Sequence, residues 1–106
     1  MTPFEVQSDS GDSIIGEHDG SVYSCTLQGI DDCGSFNGEV VANITKRPNG
    51  RWDLFMDDGE DGIIEIENGS LQEVYERLVQ WNSDVQFMSD PQVLEMLFVE
   101  ILGLHI

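Results

Sequence analysis

The chain has 106 residues, which suits one domain with a modest apolar core. Asp and Glu number 21 against 4 Lys and Arg, and the resulting formal charge of -17 repels nucleic acid and anionic bilayers while attracting basic surfaces. A hydrophobic share of 40%, with five Phe, two Trp and two Tyr, excludes an acidic disordered tail, and no run approaches the ~18 apolar residues of a membrane span.

Residues 1–12 read as a loose, acidic lead-in. They hold no basic stretch followed by an apolar run, so a cytoplasmic, reducing setting is expected, with Cys25 and Cys33 as free thiols. Asx-Gly steps then recur at Asp19-Gly20, Asn37-Gly38, Asn49-Gly50, Asp58-Gly59, Asp61-Gly62 and Asn68-Gly69. Such pairs accept positive φ at low cost and predict tight turns.

Between the turns the apolar residues alternate, which is the period of a half-buried strand. Tyr23, Cys25 and Leu27 share one face; so do Val40, Ala42 and Ile44; so do Trp52, Leu54 and Met56; and so do Ile64 and Ile66. Residues 46–50, Lys-Arg-Pro-Asn-Gly, predict a hairpin between two of these strands, and residues 13–15 offer a fifth. At Ser70 the period changes. Ser70 and Glu73 form a capping box, and Leu71, Val74, Tyr75, Leu78 and Trp81 follow at helical spacing to a stop near Asn82. Asp90 and Pro91 open a second helix that runs to Leu102, with Gly103 as terminator. The reading is an α+β domain spanning residues 1–106: an antiparallel meander of four to five strands followed by two C-terminal helices packed on one face.

The second helix is apolar around nearly its whole circumference. That pattern predicts deep burial and, where a small domain cannot cover it, a second interface. Leu94, Phe98 and Ile101 are the residues expected to present such a face and to support a homodimer.

Catalytic motifs are missing. His18 and His105 lie in no nucleophile or metal motif, and Cys25-x7-Cys33 lacks zinc spacing. A calcium loop over residues 57–68 finds Asp57, Asp61, Gly62 and Ile64 in place, but Gly59 and Asn68 stand where two ligands are needed. No enzyme activity, cofactor or metal is expected.

The acids themselves are concentrated. Asp53, Asp57, Asp58, Glu60, Asp61, Glu65 and Glu67 put seven carboxylates into fifteen residues on two paired strands and their turn. Strand residues two apart share a face at about 6.6–6.8 Å, close to the spacing of phosphates in a nucleic acid. Phe55 points outward among them as an apolar anchor. The expected partner is therefore a basic protein surface that ordinarily holds nucleic acid, with Asp53, Phe55, Asp57, Asp58, Glu60, Asp61, Glu65 and Glu67 in the contact and no direct role for nucleic acid or membrane. Small phage-encoded anti-defence and anti-CRISPR proteins act as nucleic-acid mimics in this way, a comparison by class and charge and not by motif. The alternative is an immunity protein or antitoxin that covers a nuclease-type toxin.

Overall fold

The alternating segments pair in sequence order. In the computed structural model, which describes residues 1–59 and 62–105, six strands form one antiparallel sheet: β1 (Thr2–Gln7), β2 (Ser13–His18), β3 (Val22–Ile30), β4 (Phe36–Lys46), β5 (Trp52–Asp57) and β6 (Ile63–Gly69). Two helical elements follow, α1 (Leu71–Val85) and α2 (Gln92–Met96), the latter continued by a π-helical turn over Leu97–Ile101. The class is α+β, as the alternation predicts, with one strand more than expected.

The extra strand is β1. Residues 1–12 are no loose lead-in: Thr2 to Gln7 pair with β2, with Val6 opposite Ile14 and both buried. Asp12 closes the intervening turn and is fully excluded from solvent. Its Oδ1 accepts from the Ile30 N–H at 2.9 Å, and its Oδ2 accepts from the Asp90 N–H at 2.9 Å and the Ser89 hydroxyl at 3.2 Å. One carboxylate thus ties the first hairpin, the end of β3 and the start of the last helix together. A buried acid is costly unless hydrogen-bonded, and three donors meet that need.

Every inward residue expected from the alternation belongs to the core or, for Ile66, packs against it. Cys25, Leu27, Ala42, Ile44 and Met56 have no exposed surface, and Trp52, Leu54 and Ile64 are also buried. The capping box forms as the sequence predicts: Ser70 Oγ accepts from the Glu73 N–H at 3.0 Å, and Glu73 accepts from the Ser70 N–H at 3.3 Å. α1 runs one turn beyond Asn82, to Val85, and ends where Gln86 turns left-handed at φ 53°. Asn82 is not a terminator. Its buried side chain spans the N–H and C=O of Met88 and fixes the connection to α2.

Two Asx-Gly steps are not hairpin turns. Asn37 is the extra residue of a bulge in β4, where Gly38 faces Gly29 and Phe36 faces Ile30. Gly29 is required there because a Cβ would collide with the Phe87 carbonyl. The β3–β4 turn lies earlier, with Asp31 Oδ1 accepting from the Cys33 and Ser35 N–H groups. At Asn68-Gly69 the asparagine itself takes positive φ, at the end of β6. The Lys46-to-Gly50 hairpin forms as read, closed by Arg47 N–H to Arg51 C=O at 2.7 Å.

The expected second interface is corrected. Leu94 and Phe98 are completely buried within the chain, and Ile101 is half-buried against the same core. The final helix lies over β1 and β2 and against α1, and Tyr75 meets the Phe98 ring edge-on at 5.3 Å. The added strand widened the sheet enough to cover a helix that a smaller meander would have left bare. Leu94 and Phe98 therefore have no surface to offer a second copy.

Candidate docking surface

All helices pack on one face of the sheet, so the other face is open. The period of two that buries Cys25, Leu27, Ala42, Ile44, Leu54 and Met56 turns their neighbours outward. Along β5 these are Asp53, Phe55 and Asp57, and along β6 Glu65 and Glu67. Registry places Phe55 between Asn43 of β4 and Glu65 of β6. Phe55 is 44% exposed, which is high for a phenylalanine inside a six-stranded sheet.

The acids expected to act together have separate local roles. Arg47 Nε lies 2.9 Å from both Asp53 oxygens, and its Nη2 lies 3.4 Å from Glu67. Asp53 also accepts from the Asn68 N–H at 2.8 Å. The Arg47 bond first, and the Asn68 bond second, hold the Asp53 carboxyl below the usual carboxylate range. Asp58 accepts from the Trp81 indole N–H at 2.7 Å, joining the β5–β6 hairpin to α1. Asp57 accepts from the Gly59 N–H at 2.9 Å and shapes its own turn. Glu65 stays exposed and makes no ion pair among the described residues. Glu60 and Asp61 lie outside the described residues.

The phosphate-like row is therefore short. Asp53 and Asp57 are separated by Phe55, and Glu67 is shared with Arg47, which leaves Glu65 and Glu67 as the one pair at strand repeat on β6. The cations are spent locally as well. Besides Arg47, Arg51 donates to the Asn68 carbonyl at 3.0 and 3.1 Å and approaches Glu73 at 4.0 Å, while the Lys46 ammonium sits 5.8 Å over the Trp52 ring. Three of the four basic residues are thus paired inside one corner of the molecule, and the remaining surface is left to the acids.

Sequence reasoning missed the acids and apolar groups that β1 and β2 add to this face. Glu5 lies opposite Ile15, Ile15 opposite Thr26, and Thr26 opposite Val41. The alternation Pro3-Phe4-Glu5-Val6-Gln7 was the available signal.

The nucleophilic and metal-binding side chains have structural surroundings. Cys25 is buried, its Sγ 3.8 Å from the Tyr23 carbonyl, and burial pushes its thiol up to about 12. Cys33 is exposed and unpaired. His18 stacks on Tyr23 at 4.7 Å and accepts from the Gly20 N–H. A cleft of about 480 Å³ lies between the β3–β4 turn and the α1–α2 connection. Two of its polar lining residues are engaged in the fold: Asp31 holds its turn and Asn82 holds Met88. Among the described residues no helix is long and apolar enough to cross a membrane.

No family model, curated protein or solved structure matches this chain.

Proposed function

We propose that this chain is a non-enzymatic, acidic binding protein that docks on a basic, nucleic-acid-binding surface of a protein partner and inhibits it by occupying that surface. The observation that carries this reading is the disposition of charge. A net charge of -17 far exceeds the ~2–8 that keeps a small domain soluble, and Arg47, Arg51 and Lys46 are held within one corner, which leaves Arg77 on α1 as the one basic residue on an otherwise acidic exterior. Like-charge repulsion of this size works against the compact state, so it is explained by a partner that relieves it. A basic groove does so, and long-range attraction to it raises the association rate. Such a partner works where nucleic acid is handled, and the unpaired thiols are consistent with the cytoplasm.

The reading predicts a partner that duplex DNA or RNA displaces. The chain is immobilised, the bound protein is recovered from the source cells, and its release is followed against salt and against added duplex. Release is expected as ionic strength rises from about 0.1 to 1 M, where the Debye length falls from about 10 to 3 Å, and also on addition of duplex at constant salt. A partner that binds nucleic acid and this chain simultaneously would overturn occupancy as the mechanism. Loss of nuclease activity in a recovered toxin would identify the immunity-protein form of the same chemistry.

A further inference from the structure

We infer that the docking element of the partner is a basic amphipathic helix, and that it lies across the open face of the sheet rather than against the β5–β6 hairpin. This inference rests on the proposal of a basic partner and specifies where and how that partner binds. Of the apolar side chains on the open face, Val22 and Ile63 lie at the starts of β3 and β6, and three lie further in, on strands that are neighbours or nearly so: Ile15 on β2, Val41 on β4 and Phe55 on β5. Val41 is 49% and Phe55 44% exposed. Thr26 links Ile15 to Val41 in one cross-strand row, and Asn43 lies beside Phe55 in the next.

Carboxylates rim this strip on both sides. Glu5 and Glu17 lie at the β1–β2 end, Asp57 and Glu65 at the β5–β6 end, and all four are exposed. An apolar centre with a charged rim is the anatomy of a protein interface, and acids on both flanks specify a cationic occupant. A second copy carries the same -17 and the same rim, so it does not fit.

The shape of the occupant follows from the sheet. A strand would pair at an edge, whereas a face takes a helix, as the opposite face of this sheet does. From β2 to β5 is three strand spacings, about 14 Å, which a helix covers in ~9–10 residues. A helix with apolar residues along one stripe and Arg or Lys beside it would meet Ile15, Val41 and Phe55 in turn. It would pair with Glu17 at one end and Glu65 at the other, making a third layer on the sheet.

Two synthetic peptides of identical Arg and Leu composition test this with the intact protein. One is ordered so that its leucines recur at i, i+3, i+4 and i+7; the other is scrambled. The ordered peptide is expected to bind at least ~10-fold tighter, the scale of one strong interface contact. Amide NMR shifts should centre on Ile15, Thr26, Val41, Asn43 and Phe55. Phe55→Ser should erase the advantage of the ordered peptide without changing the unfolding midpoint, and Val41→Ser serves as a second variant should the first lose its fold. Equal affinity for both peptides, with shifts spread over the surface, would overturn the face assignment while leaving the charge reading standing. Failure of both peptides to bind at low salt would overturn both. Dimerisation of the chain through this face would replace the helix by a second copy and overturn the inference.

Discussion

On the inner face of the sheet Cys25, Leu27, Ala42, Ile44 and Met56 meet no solvent, while one residue along the same strands Val41 and Phe55 are nearly half exposed. The inner face carries the stability. It is apolar, it is closed by two helices, and the buried Asp12 and Asn82 side chains at its margin are hydrogen-bonded, while the buried Ser8 hydroxyl has no partner among the described residues. The outer face keeps apolar side chains among acids of which only Asp53 and Glu67 are paired with a cation among the described residues, an arrangement that contributes little to folding and suits recognition. Location relative to the core, more than residue type, divides the two roles: Phe98, on the last helix, and Phe55, on β5, are the same side chain with opposite duties.

Substituting those two phenylalanines is the strongest test of the division. Phe98→Ala should destabilise the fold by about 3–5 kcal/mol, the cost of emptying a large core site. Phe55→Ala should change stability by only ~0.5 kcal/mol. Urea midpoints measure both, and a comparable loss at Phe55 would break the distinction between the faces.

Asp12 comes next. Asp12→Ala leaves the Ile30 and Asp90 N–H groups and the Ser89 hydroxyl without their acceptor. A loss of about 3 kcal/mol is expected, since each buried group left unpaired costs ~1–3 kcal/mol and partial solvation relieves some of it. Asp12→Asn retains one oxygen and should lose less. If both variants unfold with the wild-type midpoint, the carboxylate is not the tie between hairpin and helix.

The smallest effect belongs to the outer face. Asp53 is held below its ordinary pKa, chiefly by Arg47. A carboxyl with a depressed folded pKa adds stability above its unfolded value, about 3.9, and loses it as pH falls through the lower folded value. Arg47→Gln should therefore lower the midpoint at neutral pH, with the gap to wild type closing below about pH 4. A gap that persists in strong acid would assign Arg47 a packing role instead. The same variant frees Asp53 and Glu67 and should strengthen binding to a basic probe, sharpening the contrast between acids that are paired and acids that are available.

The charge-reversal test that the hairpin acids invite is less clean than it looks in sequence. Asp58 bonds the Trp81 indole and Asp57 caps its turn, so Lys at those positions disturbs the fold along with any binding. Glu17 and Glu65, on the rim of the open face, are better choices.

Local pattern determined a good deal of this protein. Alternation identified the large inward residues of β3, β4 and β5, because a strand has a period of two whatever it pairs with; it missed Gly29, which the bulge and the Phe87 carbonyl place inward. The Ser70 box and the Lys46-to-Gly50 turn were legible because their bonds close within a few residues. The acidity of the chain, and so the basic character of what it is proposed to bind, is a property of composition alone. Tertiary structure decided the rest. The pairing of β1, the burial of Asp12 against partners 18, 77 and 78 residues away, and the covering of Leu94 and Phe98 all depend on contacts distant in sequence. It also decided which acids are free. Arg47 reaches Asp53 and Glu67 only because the β4–β5 turn and the pairing of β5 with β6 bring them together, and that pairing leaves Glu5, Glu17 and Glu65 as acids on the rim of the open face with no cation partner among the described residues.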